Sequence, residues 1–105
     1  MTQPQVKLSA IDQDILTLLL GRELYGFEIL DELNPGRPIP LSTGSLYPAL
    51  NRLVKKAYLS CRGSSEQEKS KGARRKYYKV TSDGAAALHE VQQYRLTLAQ
   101  RAQTT

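Results

Sequence analysis

Between Ser42 and Ala57 the apolar residues Leu46, Ala49, Leu50, Leu53, Val54 and Ala57 recur at intervals of three and four, and an α-helix gathers that spacing onto one face. Such a stripe belongs against a core. The opposite face carries Ser45, Asn51, Arg52, Lys55 and Lys56, with hydroxyls near the start and cations towards the end. A second basic block follows across a loop, at Arg74-Arg75-Lys76 and Lys79. Any fold for this chain has to bury the stripe and turn two cationic surfaces outward.

The charge is segregated. Of a net +5, residues 1–40 contribute three Lys/Arg against six Asp/Glu, residues 41–81 ten against two, and residues 82–105 two against two. A cationic middle on a neutral-to-acidic body points to a polyanionic partner, nucleic acid first and anionic lipid second. With 105 residues, 40% of them hydrophobic, the chain supplies one small core. Cys61 is the single cysteine and has no intramolecular disulfide partner. No segment reaches the ~20 apolar residues a membrane span needs, and the N-terminus lacks the charged and apolar regions of a signal peptide. The expectation is a soluble, cytoplasmic protein with no membrane association. His89 and Cys61 stand far apart without further soft ligands, so no metal or other cofactor is expected. A phosphate-binding glycine loop and a nucleophile signature are also missing, which argues against an enzyme.

Taken in order, Leu8, Ile11, Ile15, Leu16, Leu18, Leu19 and Leu20 mark a first helix, with Ser9 as its N-cap and Gly21 as its stop. Its dense second half predicts two packing partners, one of them a second subunit. Tyr25 to Leu33 reads as a short second helix, with Ile29, Leu30 and Leu33 inward. Pro35, Pro38 and Pro40 end it in a loop, and Ile39 to Leu41 is read as a short extended edge. The third helix starts near Ser42 or Thr43, whose hydroxyls suit a cap. Pro48 conflicts with that start, because it removes the amide that would bond back to Gly44; an irregular first turn, or a start nearer Ser45, is the alternative. Tyr58 to Cys61 then alternates as a strand, residues 63–72 form a polar loop, and Arg75 to Val80 returns as the second strand of a hairpin. Thr81-Ser82-Asp83 precedes a last helix, about Gly84 to Gln103, whose Ala87, Val91, Tyr94 and Leu98 step by four, three and four, the spacing of a coiled-coil seam. A second copy is the economical cover for that seam.

Three helices, a hairpin and a final helix are the order of a winged helix-turn-helix. The fold class is thus α+β, mostly α: a three-helix core, a two-stranded wing, and a C-terminal dimerisation helix. Residues 1–81 are read as the DNA-binding domain and 82–105 as the dimerisation helix. The recognition helix spans about 42–57 and enters the major groove, and the wing, about 63–76, meets the minor groove or the phosphates. Candidate DNA contacts are Ser42, Thr43, Ser45, Tyr47, Asn51, Arg52, Lys55, Lys71, Arg74, Arg75 and Lys76, with Lys69 also on the wing. Tyr25 and Tyr78 are read as packing residues. For Tyr47 the pattern alone leaves packing and phosphate contact open.

The motifs Leu24-Tyr25-Gly26-Phe27, Ser45-Leu46-Tyr47-Pro48-Ala49-Leu50-Asn51-Arg52-Leu53 and Arg75-Lys76-Tyr77-Tyr78-Lys79-Val80-Thr81-Ser82-Asp83-Gly84 resemble, in order and spacing, those of PadR-type transcription regulators over about residues 11 to 90. The resemblance implies a homodimeric winged-helix repressor in which Tyr47 and its neighbours touch duplex DNA. It implies a dimer built from the last helix and parts of the first, here Leu16, Leu20, Leu88, Val91, Tyr94 and Leu98. It also implies small aromatic effectors held between core and dimer interface, although the lack of Trp argues against multidrug sensing. Ala57 stands where the family usually has glycine, Ala73 where proline or glycine is common, and the single terminal helix matches the short subfamily. A protein-interaction module and a structured-RNA binder are the alternative readings.

Overall fold

The computed structural model describes residues 6–63 and 75–103. Its first helix, α1 (Ala10–Leu18), opens on a reciprocal cap: the Ser9 hydroxyl accepts the Asp12 amide at 3.1 Å, and the Asp12 carboxylate accepts the Ser9 amide at 3.1 Å. Two amides that no helical carbonyl can reach are thereby satisfied. The chain turns away at Gly21, which takes a left-handed φ of 71°. Ile15, Leu16 and Leu19 are completely buried, because α1 packs on three other helices of its own chain. The density of its apolar residues is therefore accounted for largely within one protomer.

A short strand follows at once. β1 (Glu23–Tyr25) runs into α2 (Gly26–Leu33), and it pairs antiparallel with β3 (Lys76–Val80), which in turn pairs with β2 (Leu59–Gly63). The sheet therefore has three strands in the order β1-β3-β2, with Leu24 and Cys61 both opposite Tyr78. The extended edge expected at Ile39–Leu41 is not a strand, and the third strand lies before α2 instead. Prolines at 38 and 40 remove two ladder donors. Leu41 is instead buried by a side-chain clamp in which its amide donates to Asn34 Oδ1 at 2.8 Å and its carbonyl accepts from Asn34 Nδ2 at 3.1 Å.

The amphipathic helix α3 (Thr43–Lys55) starts on Ser42, whose hydroxyl accepts the Ser45 amide at 3.3 Å. Its first turn is regular, with the Leu46 amide bonding to the Ser42 carbonyl at 2.9 Å, so Pro48 does not delay the helix. The ring sits on the exposed side, where water can serve the Gly44 carbonyl that has lost its donor. Leu46, Leu50 and Leu53 are fully buried and Ala49 nearly so. The helix ends two residues short of Ala57, which turns left-handed at φ 64°. There the Ala57 amide bonds to the Val54 carbonyl and the Tyr58 amide to the Leu53 carbonyl, both at 2.9 Å. This is the closing turn usually built with glycine, here carried by an alanine.

The last helix, α4 (Ser82–Gln103), is capped by Thr81, whose hydroxyl accepts the Gly84 amide at 3.0 Å and donates to the Ala57 carbonyl at 2.6 Å. Gly84 lies directly on the Tyr58 carbonyl, with that oxygen 2.1 Å from where a Cβ would stand. Ala87 and Leu88 join the core. From Gln92 onward every described residue of α4 is exposed. The projecting turns contribute to a longest dimension of 60 Å and a radius of gyration of 16.0 Å, against about 13 Å for a compact chain of this length.

A left-handed alanine costs roughly 1–2 kcal/mol, part of which a glycine would give back through the entropy of the unfolded chain. Ala57→Gly should raise stability by about 1 kcal/mol, seen as a melting temperature several degrees higher by calorimetry; an unchanged or lower value would contradict the strain.

Candidate nucleic-acid interface

Burying Leu46, Ala49, Leu50 and Leu53 turns a second stripe outward: Gly44, Pro48, Asn51 and Lys55, spaced four, three and four, are all exposed. The first half of that stripe is nearly bare of side chain. An added Cβ at Gly44 would meet only the Ser42 hydroxyl, at 3.6 Å. The backbone at this end of α3 can therefore approach a surface closely, while Asn51 and Lys55 reach further along it. Ser42, Thr43 and Ser45 are exposed at the same end, beside the partial positive charge of the helix N-terminus.

Tyr47 points elsewhere. Its ring is half-buried, and its hydroxyl would lie 2.2 Å from a Cβ on Gly26. Gly26 is thus the bare surface on which the phenol rests, and the Tyr-Gly and Leu-Tyr-Pro motifs are two halves of one contact. Tyr47 still lines a groove of about 720 Å³ with Tyr25, Gly26, Phe27, Asn51, Arg75, Lys76 and Tyr78. Packing against α2 and access from that groove coexist at this residue.

Arg52 is also committed within the chain. Its guanidinium donates to Asp12 at 2.8 Å, across from α3 to α1, and supplies the counter-charge of a carboxylate that is only 2% exposed. The Arg52 side chain itself is 45% exposed. It stands to one side of the outward stripe, so packing and charge neutralisation are its first tasks. Nearby, Lys56 donates to the Lys7 carbonyl at 3.1 Å.

At the base of the wing a ladder of rings and cations joins the strands. Arg62 lies over the Tyr77 ring at 4.4 Å, Tyr77 meets Tyr25 edge-on with centroids 5.8 Å apart, and Arg75 lies over Tyr25 at 4.4 Å. Such contacts hold the cations in place while leaving their charge at the surface. Arg62 also pairs with Glu23 at 2.8 Å, and a hydrogen bond to Tyr77 raises the Arg75 pKa. Beneath them, burial pushes the Tyr78 phenol up to about 12, with the neighbouring Cys61 adding to the shift. It remains a neutral donor, a packing residue as expected.

Of the expected contacts, Tyr47, Asn51, Arg75 and Lys76 line one groove, while Ser42, Thr43, Ser45 and Lys55 are exposed on α3 or at its start. Lys69, Lys71 and Arg74 lie outside the described residues. Phe27 and Arg62 belong to this surface and escaped the sequence reading. Residues 60–63 of β2 are all exposed, so no alternation singles out Arg62, whereas Phe27 sits one residue past Gly26 at the helix start. Among the expected dimer residues, Leu16 and Leu88 are 0% and 2% exposed inside the protomer's own core, so they present nothing to a partner. Leu20, Tyr94 and Leu98 stand open at 46%, 60% and 41%, and Val91 is half-buried at their base. A second groove, about 990 Å³, runs between the segment 6–9, the start of α1, the end of α3 and the α4 residues Glu90, Val91, Tyr94, Arg95 and Leu98.

The three-helix core, the β2–β3 hairpin and the outward α3 define a winged helix. The sequence matches the PadR-like family of transcriptional regulators over residues 15–90. The chain belongs to that family, whose members are regulators rather than enzymes. Among solved structures it is similar to a PadR-like transcription factor from Bacteroides fragilis, at 29% identity and TM-score 0.78, covering 90% of this chain and 87% of that one. A PadR family transcription regulator from Clostridium difficile R20291 is 31% identical at TM-score 0.74, covering 91% and 98%. Bacillus subtilis PadR, solved with operator DNA, shares the fold at TM-score 0.69 and 24% identity, covering 82% of this chain and 48% of that one. An uncharacterised protein of Lysinibacillus sphaericus is 31% identical over 93 residues, or 87% of this chain and 83% of its own length.

Removing the Arg52 charge leaves Asp12 buried with its cap bond alone. Arg52→Gln should lower stability by about 1–2 kcal/mol in urea denaturation, and Asp12→Asn combined with it should cost less than the two single changes added. Strict additivity would show that the pair is not coupled.

Proposed function

We propose that this chain is a sequence-specific duplex-DNA-binding regulator, acting as a homodimeric repressor, with α3 in the major groove and the loop between β2 and β3 on the minor groove or the phosphates. The observation that carries the reading is the outward α3 stripe, flat at Gly44 and Pro48, polar at Asn51 and cationic at Lys55, on a segment without Asp or Glu between Leu41 and Gly63. A flat helix start permits close approach, an amide side chain suits the donor and acceptor edge of adenine, and lysine suits a phosphate. Arg75 and Lys76, at the base of the wing, extend the same positive surface. The operator complex of Bacillus subtilis PadR supports this use of the fold.

The dimer reading rests on α4. Val91, Tyr94 and Leu98 continue the stripe that Ala87 begins in the core, and from Tyr94 on it lies open. A second copy covers it and presents two α3 helices to one duplex. The groove of about 990 Å³ beneath Tyr94 and Leu98 is where a small aromatic effector would be held.

Titration against duplexes from the promoter next to its own gene, at several salt concentrations, should give a steep salt dependence and a preference of ~10³ or more over random duplex. Arg75→Ala should weaken binding to all duplexes alike, and Asn51→Ala should relax preference at a base position. Equal weak affinity for every duplex would remove the operator reading, and a phenolic acid that leaves operator affinity unmoved would remove the effector. Leu98→Glu places a charge in the α4 seam and should yield monomers in analytical ultracentrifugation; a persistent dimer would put the interface elsewhere.

A further inference from the structure

Phe27 is an aromatic side chain at the first turn of α2 that the core does not use: it is 58% exposed, while Ile29 two residues on is fully buried. It forms one wall of the groove of about 720 Å³ between α2, α3 and β3. The walls differ in chemistry. Phe27, Tyr25 and Tyr47 supply ring surface, Arg75 and Lys76 supply positive charge, and Asn51 of the outward α3 stripe stands at the edge. A ligand matched to this groove carries an anion at one end and a compact, carbon-rich body at the other, and it lies beside the face of α3.

We propose that the groove receives one sugar–phosphate step of the duplex backbone flanking the bases that α3 reads, with the phosphate between Arg75 and Lys76 and the deoxyribose carbons laid on the Phe27 ring. The proposal rests on the duplex-DNA reading of α3. Charge complementarity commits the occupant: the described rim of the groove has two cations and no carboxylate, and every backbone step of a duplex offers a phosphate joined to an apolar sugar face. Arg75 stacks on Tyr25 at 4.4 Å, which holds its guanidinium at the rim without a flexible loop. An aromatic ring laid on a sugar carries no base preference, since every nucleotide presents the same face. Phe27 therefore adds affinity and fixes register, leaving discrimination to α3.

The test uses the full chain with Phe27→Ala and Phe27→Leu, titrated by fluorescence anisotropy against operator duplex, random duplex and single-stranded DNA at three salt concentrations. Phe27→Ala should weaken operator and random duplex alike by about tenfold, as loss of one partly covered ring would. The salt slope should stay unchanged, since no phosphate contact is lost. Phe27→Leu should recover most of the affinity, and both variants should melt within a few degrees of the parent because the ring is exposed. Unchanged duplex affinity would overturn the proposal. So would a loss confined to the operator, which would make Phe27 a base contact, or a larger loss on single strands, which would make it a stacking platform for unpaired bases. A parent protein that binds no duplex would instead remove the reading of α3 on which the proposal stands.

Discussion

The contact between the Tyr47 phenol and the bare Cα of Gly26 sets the relation between the two helices of the helix-turn-helix. Gly26 is the first residue of α2 and directly follows β1, so the ring that rests on it packs α3 against the junction between strand and helix. Side chains within a close-packed interior cannot yield by a bond length without disturbing their neighbours. A methyl group at position 26 would push the ring outward into the groove that it lines. The same contact ties the helix that carries the outward stripe of Gly44, Pro48, Asn51 and Lys55 to the start of α2.

Charge is distributed on the same plan. The basic residues of the middle segment divide into those spent on the fold and those left at the surface. Arg52 neutralises Asp12 and Arg62 pairs with Glu23, so neither acts only as a cation for a partner. Lys55 and Lys76 stand on the exposed side of their elements, and Arg75 is anchored over the Tyr25 ring. An overall positive charge thus overstates the surface available to a polyanion, and the arrangement of ion pairs decides which part of it is presented.

Much of this was legible in the residues. The stripe Leu46, Ala49, Leu50 and Leu53 is buried as its spacing demands, Ser9 and Ser42 cap their helices, and Thr81 introduces the last one, because these signals are local and follow from backbone chemistry. What escaped was set by distant partners. Three residues, Glu23 to Tyr25, carry too little pattern to announce a strand, and they become one only because Tyr77 to Lys79 arrives beside them. Ile39 to Leu41 has the right composition for an edge, but prolines deny the ladder and Asn34 offers a clamp instead. Nothing local to Asp12 announces its burial, which depends on Arg52 forty residues later. Leu16 and Leu88, which the family resemblance puts at a dimer surface, lie in the protomer's own core, because apolarity does not distinguish that core from a partner's.

The turn at Ala57 has a dynamic consequence. Its strained alanine is held from both sides, by its own amide bonded to Val54 and by the Thr81 hydroxyl on its carbonyl, while the next carbonyl, that of Tyr58, accepts the Thr81 amide at 3.1 Å and is covered by Gly84. None of these bonds can open alone without exposing the strain the others contain. The end of α3 and the start of α4 are therefore expected to open as one unit, with amide protons that exchange together although more than twenty residues separate them in the chain.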